Sequence, residues 1–113
     1  MPTTPYVYEF GMGMDVHGSD STTAARRAVF DAIRHSSLPV LRQIREQGGE
    51  MLVHALIGVP NAKSVDLEAV KAEFPHGVVT VEAVEGGLQA PGDDMPLFAV
   101  AHITVSAKFE DKA

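Results

Sequence analysis

From Leu97 to Phe109 the chain alternates without a break. Leu97, Ala99, Ala101, Ile103, Val105, Ala107 and Phe109 are apolar, and the residues between them (Phe98, Val100, His102, Thr104, Ser106 and Lys108) are mixed. A period of two sustained over that length predicts a β-strand with one dry face. The same division recurs in Met51 to Val59, where Met51, Val53, Ala55, Ile57 and Val59 face one way and Leu52, His54, Leu56 and Gly58 the other. It recurs again in Val78 to Glu85, with Val79, Val81 and Ala83 against Val78, Thr80, Glu82 and Val84. Tyr6 to Met14 alternates too: Tyr6, Tyr8, Phe10, Met12 and Met14 oppose Val7, Glu9, Gly11 and Gly13. Each strand therefore has one face to bury and one face of mixed character.

Between these strands the period changes. Ala24 to Arg34 places Ala25, Ala28, Val29, Ala32 and Ile33 on one helical face, with Arg27, Asp31 and Arg34 opposite, and Ser19 to Thr23 offers several N-caps. Phe30 falls among the charged residues, which marks a loosely packed position or a contact with another subunit. Ser36-Ser37-Leu38-Pro39 breaks or restarts the helix, with Ser37 as a cap, and a second helical piece is expected to run to about Gln47 before Gly48-Gly49. Ser64 or Asp66 caps a short helix through Ala72, and Gly86 to Pro96 reads as a loop. The order is β-α-β-α-β-β.

One dry face per strand puts both helices on the same side of a single sheet. Right-handed crossovers then require both to step in the same direction. The long last strand belongs in the interior, between the first and second, where both of its edges are paired. The expected fold is an α/β protein of the two-layer α+β kind. It has one mixed four-stranded sheet, order 1-4-2-3, strand 4 antiparallel, and helices on one face.

Composition narrows the function classes. The 113 residues suit a single domain, 1–113, with a flexible tail expected at 110–113. A net charge of −6, with nine scattered Lys and Arg, argues against nucleic acid as a partner. The absence of cysteine removes disulfides, thiol catalysis and Cys-type zinc sites. No signal peptide or membrane span is expected, and a cytoplasmic location is the default. The mixed face (Leu52, Leu56, Phe98, Val100, Val78 and Val84 among Glu9, His54, Glu82, His102 and Thr104) would be a large apolar patch in water. A homo-oligomer is expected to cover it, with a trimer favoured.

The chemistry concentrates in Gly11 to Thr22, where three glycines, an Asp and a His fall within eight residues and lead into a helix. If the backbone stays extended, Asp15 and His17 project from one face, the mixed side with Glu9. A carboxylate and an imidazole can shuttle protons or hold a divalent metal, so Asp15 and His17 are the candidate catalytic pair. As metal ligands they need a third, drawn from His54, His102, His76, His35 or another subunit. His54 and His102, on strands expected to be neighbours, are placed to meet each other or Glu9, although a histidine in an interface is more often a packing residue. Free amides at the helix start would bind a phosphate or carboxylate, with Gly18, Ser19, Ser21 and Thr22 letting it approach closely, and Gly11, Gly13, Gly18 and Ser19 are the candidate ligand-binding residues. Asp20 opposes an anion there and reads as a cap, whereas Arg26 or Arg27 would favour one. Met12 and Met14 serve as core filler or line a pocket beside the motif.

The run GxGxDxHG (Gly11, Gly13, Asp15, His17, Gly18), followed by Asp20 and the Thr-Ala-Ala-Arg-Arg-Ala-Val helix start, resembles a family of short uncharacterised proteins defined by that motif. The likeness extends over Asp31-Ala32-Ile33, Ser37-Leu38-Pro39, Gly58-Val59-Pro60 and Gly86-Gly87-Leu88, and it implies no activity. The topology resembles the trimeric chorismate-mutase-like architecture, which implies active sites in clefts between subunits. Gly11, Gly13, Asp15 and His17 also resemble the N-terminal fragment of methylerythritol cyclodiphosphate synthase, where the Asp and His bind metal; the likeness stops at that fragment.

Two readings of function stand open here. In the first, the chain is a homo-oligomer whose pocket at a subunit boundary, built around Asp15 and His17, acts on a small polar metabolite by proton transfer or with a divalent metal. In the second, it is a non-enzymatic ligand-binding or structural module whose motif only shapes a strand-to-helix turn.

Overall fold

The computed structural model describes residues 3–34, 43–75 and 77–109. β1 (Thr3–Asp15) leads to α1 (Ser21–Ile33), and β2 (Gly49–Gly58) to a 3-10 turn (Ala62–Ser64) and the short α2 (Leu67–Lys71). β3 (Val78–Val84), a two-residue β4 (Leu88–Gln89) and β5 (Leu97–Phe109) complete the order. The sheet runs β1-β5-β2-β3. β5 is antiparallel to both β1 and β2, and β2 and β3 are parallel. With β5 as the fourth long strand, this is the expected 1-4-2-3 arrangement. The addition is β4, which the expected loop Gly86 to Pro96 contributes. It pairs Leu88 with Phe98 and Gln89 with Leu97, extending the ladder past the end of β2.

The predicted second helix falls mostly outside the described residues; 43–46 is helical and leads into β2. The tail 110–113, His35 and His76 lie outside them as well.

α1 lies over β1 and β5, and α2 sits beside β3 and α1. Together they bury a core of small aliphatics: Ala24, Ala28 and Ala32 from α1, Ala55 and Ile57 from β2, and Ala99, Ala101 and Ile103 from β5. The close approach of α1 depends on two glycines. A Cβ at Gly11 would land on the Ala28 carbonyl oxygen and the Ala32 amide nitrogen, and one at Gly13 on the Ala28 amide nitrogen and the Ala24 carbonyl oxygen. Helix backbone rests directly on strand backbone there.

This reverses the expected assignment of β1's faces. Gly11 pairs with Ala101, Gly13 with Ala99 and Asp15 with Leu97, so the glycines and Asp15 lie on the helix side with Glu9. The large residues Tyr8, Phe10 and Met12 turn to the other face. Steric fit under a close helix, rather than hydrophobicity, decides which set goes inside. β1 is also an edge strand, and α1 caps part of that edge. The Met12 amide donates to Asp31 Oδ2 at 3.0 Å, and Arg27 Nη1 donates to the Met14 carbonyl at 2.7 Å.

Candidate functional site

At the end of β1 the chain turns sharply, because the Gly18 amide donates to the Asp15 carbonyl at 3.1 Å. Gly18 takes φ of +74°, and a Cβ there would collide with the Met95 carbonyl oxygen. The turn folds the next amides back over the Asp15 side chain. Its Oδ2 accepts from Ser19 N at 3.1 Å and from Asp20 N at 2.9 Å, and the residue is only 6% exposed. The Asp20 amide, helped by those of Ser19 and His17 and by the His17 side chain, holds the Asp15 carboxyl below its ordinary 3.8 against the opposing effect of burial. Hydrogen bonds to the charged form outweigh desolvation here.

The next carboxylate caps the helix. Asp20 Oδ1 accepts from Thr23 N at 3.0 Å and its Oδ2 from the Thr23 hydroxyl at 2.8 Å, so these bonds keep Asp20 ionised below its ordinary range too. Ser21 Oγ donates to the Pro60 carbonyl at 2.6 Å, tying the helix start to the end of β2. Gln89 Nε2 donates to the carbonyls of Gly18 and Met95 at 2.8 and 3.0 Å, which ties the corner to the β4 loop. The amides that could have cradled a phosphate are therefore filled by the protein's own carboxylates.

Set against the sequence expectations, the motif divides. Gly11 and Gly13 are sealed beneath α1 rather than open to a ligand. Gly18 and Ser19 sit in the corner, with the Ser19 amide given to Asp15. His17 is exposed. Asp15 and His17 do not project together onto the mixed face, because the turn begins at residue 16 and Asp15 points to the helix layer. His54 and His102 are on the opposite face from Asp15, and they do not meet Glu9, which pairs with Ile103 on the helix side. Nor are they cross-strand partners: His54 stands opposite Thr104, and His102 opposite Leu56. Among the described residues no group of three or more His, Asp and Glu is brought together in a way that could hold a metal ion.

The open face of the sheet carries a second constellation. Over β1 and β5, the His102 ring stacks on Phe10 (centroids 4.7 Å apart, planes at 15°) and on Tyr8 (5.8 Å, 19°). Tyr8, Phe10 and Met12 are 60%, 64% and 56% exposed, and Val100 beside them is 41% exposed. Over β2, β3 and β5 the same face sinks into a cavity of 260 Å³ lined by Leu52, Val53, His54, Val78, Thr80, Thr104 and Ser106. Thr80 Oγ1 is 2.9 Å from His54 Nδ1, and Glu82 Oε1 is 3.7 Å from His54 Nε2. The sequence assigned these residues to the mixed face without selecting Thr80, Thr104 or Ser106. Only the register, which sets His54 opposite both Thr80 and Thr104, brings them to one place.

A family model described as a conserved hypothetical protein family, Lin0512_fam, matches residues 5–107. The chain belongs to this family. In this chain the GxGxDxHG run forms the strand-to-helix corner. The chain is also similar to a crystallised FtsZ-like protein of unknown function from Nostoc punctiforme PCC 73102, at 33% identity with a TM-score of 0.84, covering 98% of this chain and 99% of that one. No curated protein matches it. Among the described residues no helix is long and apolar enough to cross a membrane.

Proposed function

We propose that this Lin0512-family protein works as a homo-oligomer, with three copies the expected number, whose contact surface is the open face of the sheet and whose small-molecule pocket lies at that contact. One observation carries the reading: the exposed strip of Tyr8, Phe10, Met12 and Val100. Aromatic residues and methionine are enriched in interface cores, and fully burying such a side chain contributes roughly 1.5–3 kcal/mol. Charge favours a second copy as the occupant. The chain carries a net charge of −6 and the open face includes Glu82, but the strip over β1 and β5 carries no carboxylate, so joining two such strips would bury no like-charged pair.

The motif then has a supporting role. Asp15 fixes the corner through two amides, so it is an unsuitable general base or metal ligand, and His17 is the member of the pair left accessible for chemistry. Light scattering tests the proposal. The wild-type protein is expected to run as an oligomer and a Phe10→Asp variant as a folded monomer. A monomeric wild type would defeat it.

A further inference from the structure

The cavity over β2, β3 and β5 has a more particular chemistry than the strip beside it. Resting on the oligomer reading above, we propose that it binds a small uncharged molecule bearing hydroxyl or carbonyl groups, with His54 as its acid–base group and a second copy of the chain as its roof.

The lining supplies three hydroxyls (Thr80, Thr104 and Ser106) and one imidazole, over an apolar floor of Leu52, Val53 and Val78. Hydroxyls donate and accept, and imidazole does either, so the set matches a ligand whose oxygens do both. No Lys, Arg, Asp or Glu lines the cavity, so no fixed charge is there to neutralise a phosphate or an ammonium group. Glu82, next to His54, further disfavours anions. A cavity of 260 Å³ has room for a molecule of a few carbons, such as a triose or a small hydroxyketone.

The histidine is held from both sides. Glu82 Oε1 lies 3.7 Å from Nε2, and Thr80 Oγ1, which donates to the Val53 carbonyl at 3.5 Å, lies 2.9 Å from Nδ1. A ligand oxygen in the cavity can replace Thr80 as the partner of Nδ1. The cavity opens on the same face of the sheet as the Phe10 strip, so a copy covering the strip would exclude water from it.

Protein-observed NMR of the imidazole resonances, titrated with dihydroxyacetone and glycerol alongside D-glycerate and inorganic phosphate, tests the assignment while light scattering reports the oligomer. The neutral probes are expected to bind the oligomer and shift the His54 ring resonances, and the anions to do neither. Thr80→Val, which keeps the shape and strand preference, and Ser106→Ala are each expected to weaken binding roughly tenfold while the oligomer persists. An intact oligomer whose His54 resonances ignore the neutral probes overturns the ligand assignment alone. Equal binding of glycerate and dihydroxyacetone overturns the charge argument. A monomeric wild type overturns the parent reading, and neutral probes that still bind such a monomer overturn the roof.

Discussion

On the helix side of the sheet, β1 and β5 meet through Gly11, Gly13, Ala99 and Ala101; on the other side the same two strands present Phe10, Met12, Val100 and His102. The helix side is closed by backbone lying on backbone, so its tolerance for added atoms is close to nil. The open side carries the bulk of the apolar surface and has no partner among the described residues of the chain. Small residues thus mark the contact made within the chain, and large ones mark the face that the proposed oligomer would cover.

The most damaging change to that contrast is a side chain added on the helix side. Gly13→Val is expected to cost at least about 3 kcal/mol, because the obstruction is helix backbone that cannot swing away. Urea denaturation would measure it, and a loss under ~1 kcal/mol would show that α1 can lift off the strand. The matched change on the open side, Val100→Asp, should leave the fold intact and reduce the mass seen by light scattering to that of a monomer. If both variants unfold the protein, the two faces are not different in kind.

Asp15→Ala comes next, at about 1–3 kcal/mol, since it orphans the amides of Ser19 and Asp20. Its pH dependence has a definite sign. The folded-state pKa lies below the unfolded value near 3.8, so the stabilisation is complete above that value and is lost as the pH falls through the folded pKa. The stability gap between wild type and Asp15→Asn should therefore be constant near neutrality and narrow in acid. A gap that grows in acid would mean that the carboxyl is not bonded as its charged form. Asp20→Ala should cost about 1 kcal/mol as a lost helix cap, read from the shift in the urea midpoint. His17→Ala, at an exposed position, should stay within about 0.5 kcal/mol of wild type by the same titration.

Much of the fold was legible because strand parity and right-handed crossovers leave few arrangements. Leu97 to Phe109 could be placed in the centre from its length and purity alone. The faces of β1 were misread for a physical reason: alternation says that two sets of residues differ, but not which set meets the helix. Gly11 and Gly13 look like ligand-binding glycines in sequence, and only a helix axis close above them turns them into a packing surface. Asp15 and His17 share parity on paper, yet the reversal set by Gly18 buries Asp15 on the helix side and leaves His17 exposed. The Thr80–His54 pairing depends on parallel register, which composition does not encode.

The side chains of Asp31 and Arg27, which occupy backbone groups on the outer edge of β1, bear on how the protein behaves when crowded. A sheet with two bare margins can add neighbours strand to strand without limit, the route to ribbons and fibrils. Here one margin is partly obstructed by the molecule's own helix, so lateral growth at β1 would first have to break those bonds. The proposed closed assembly through the open face would then leave a β1 margin that resists the open-ended kind.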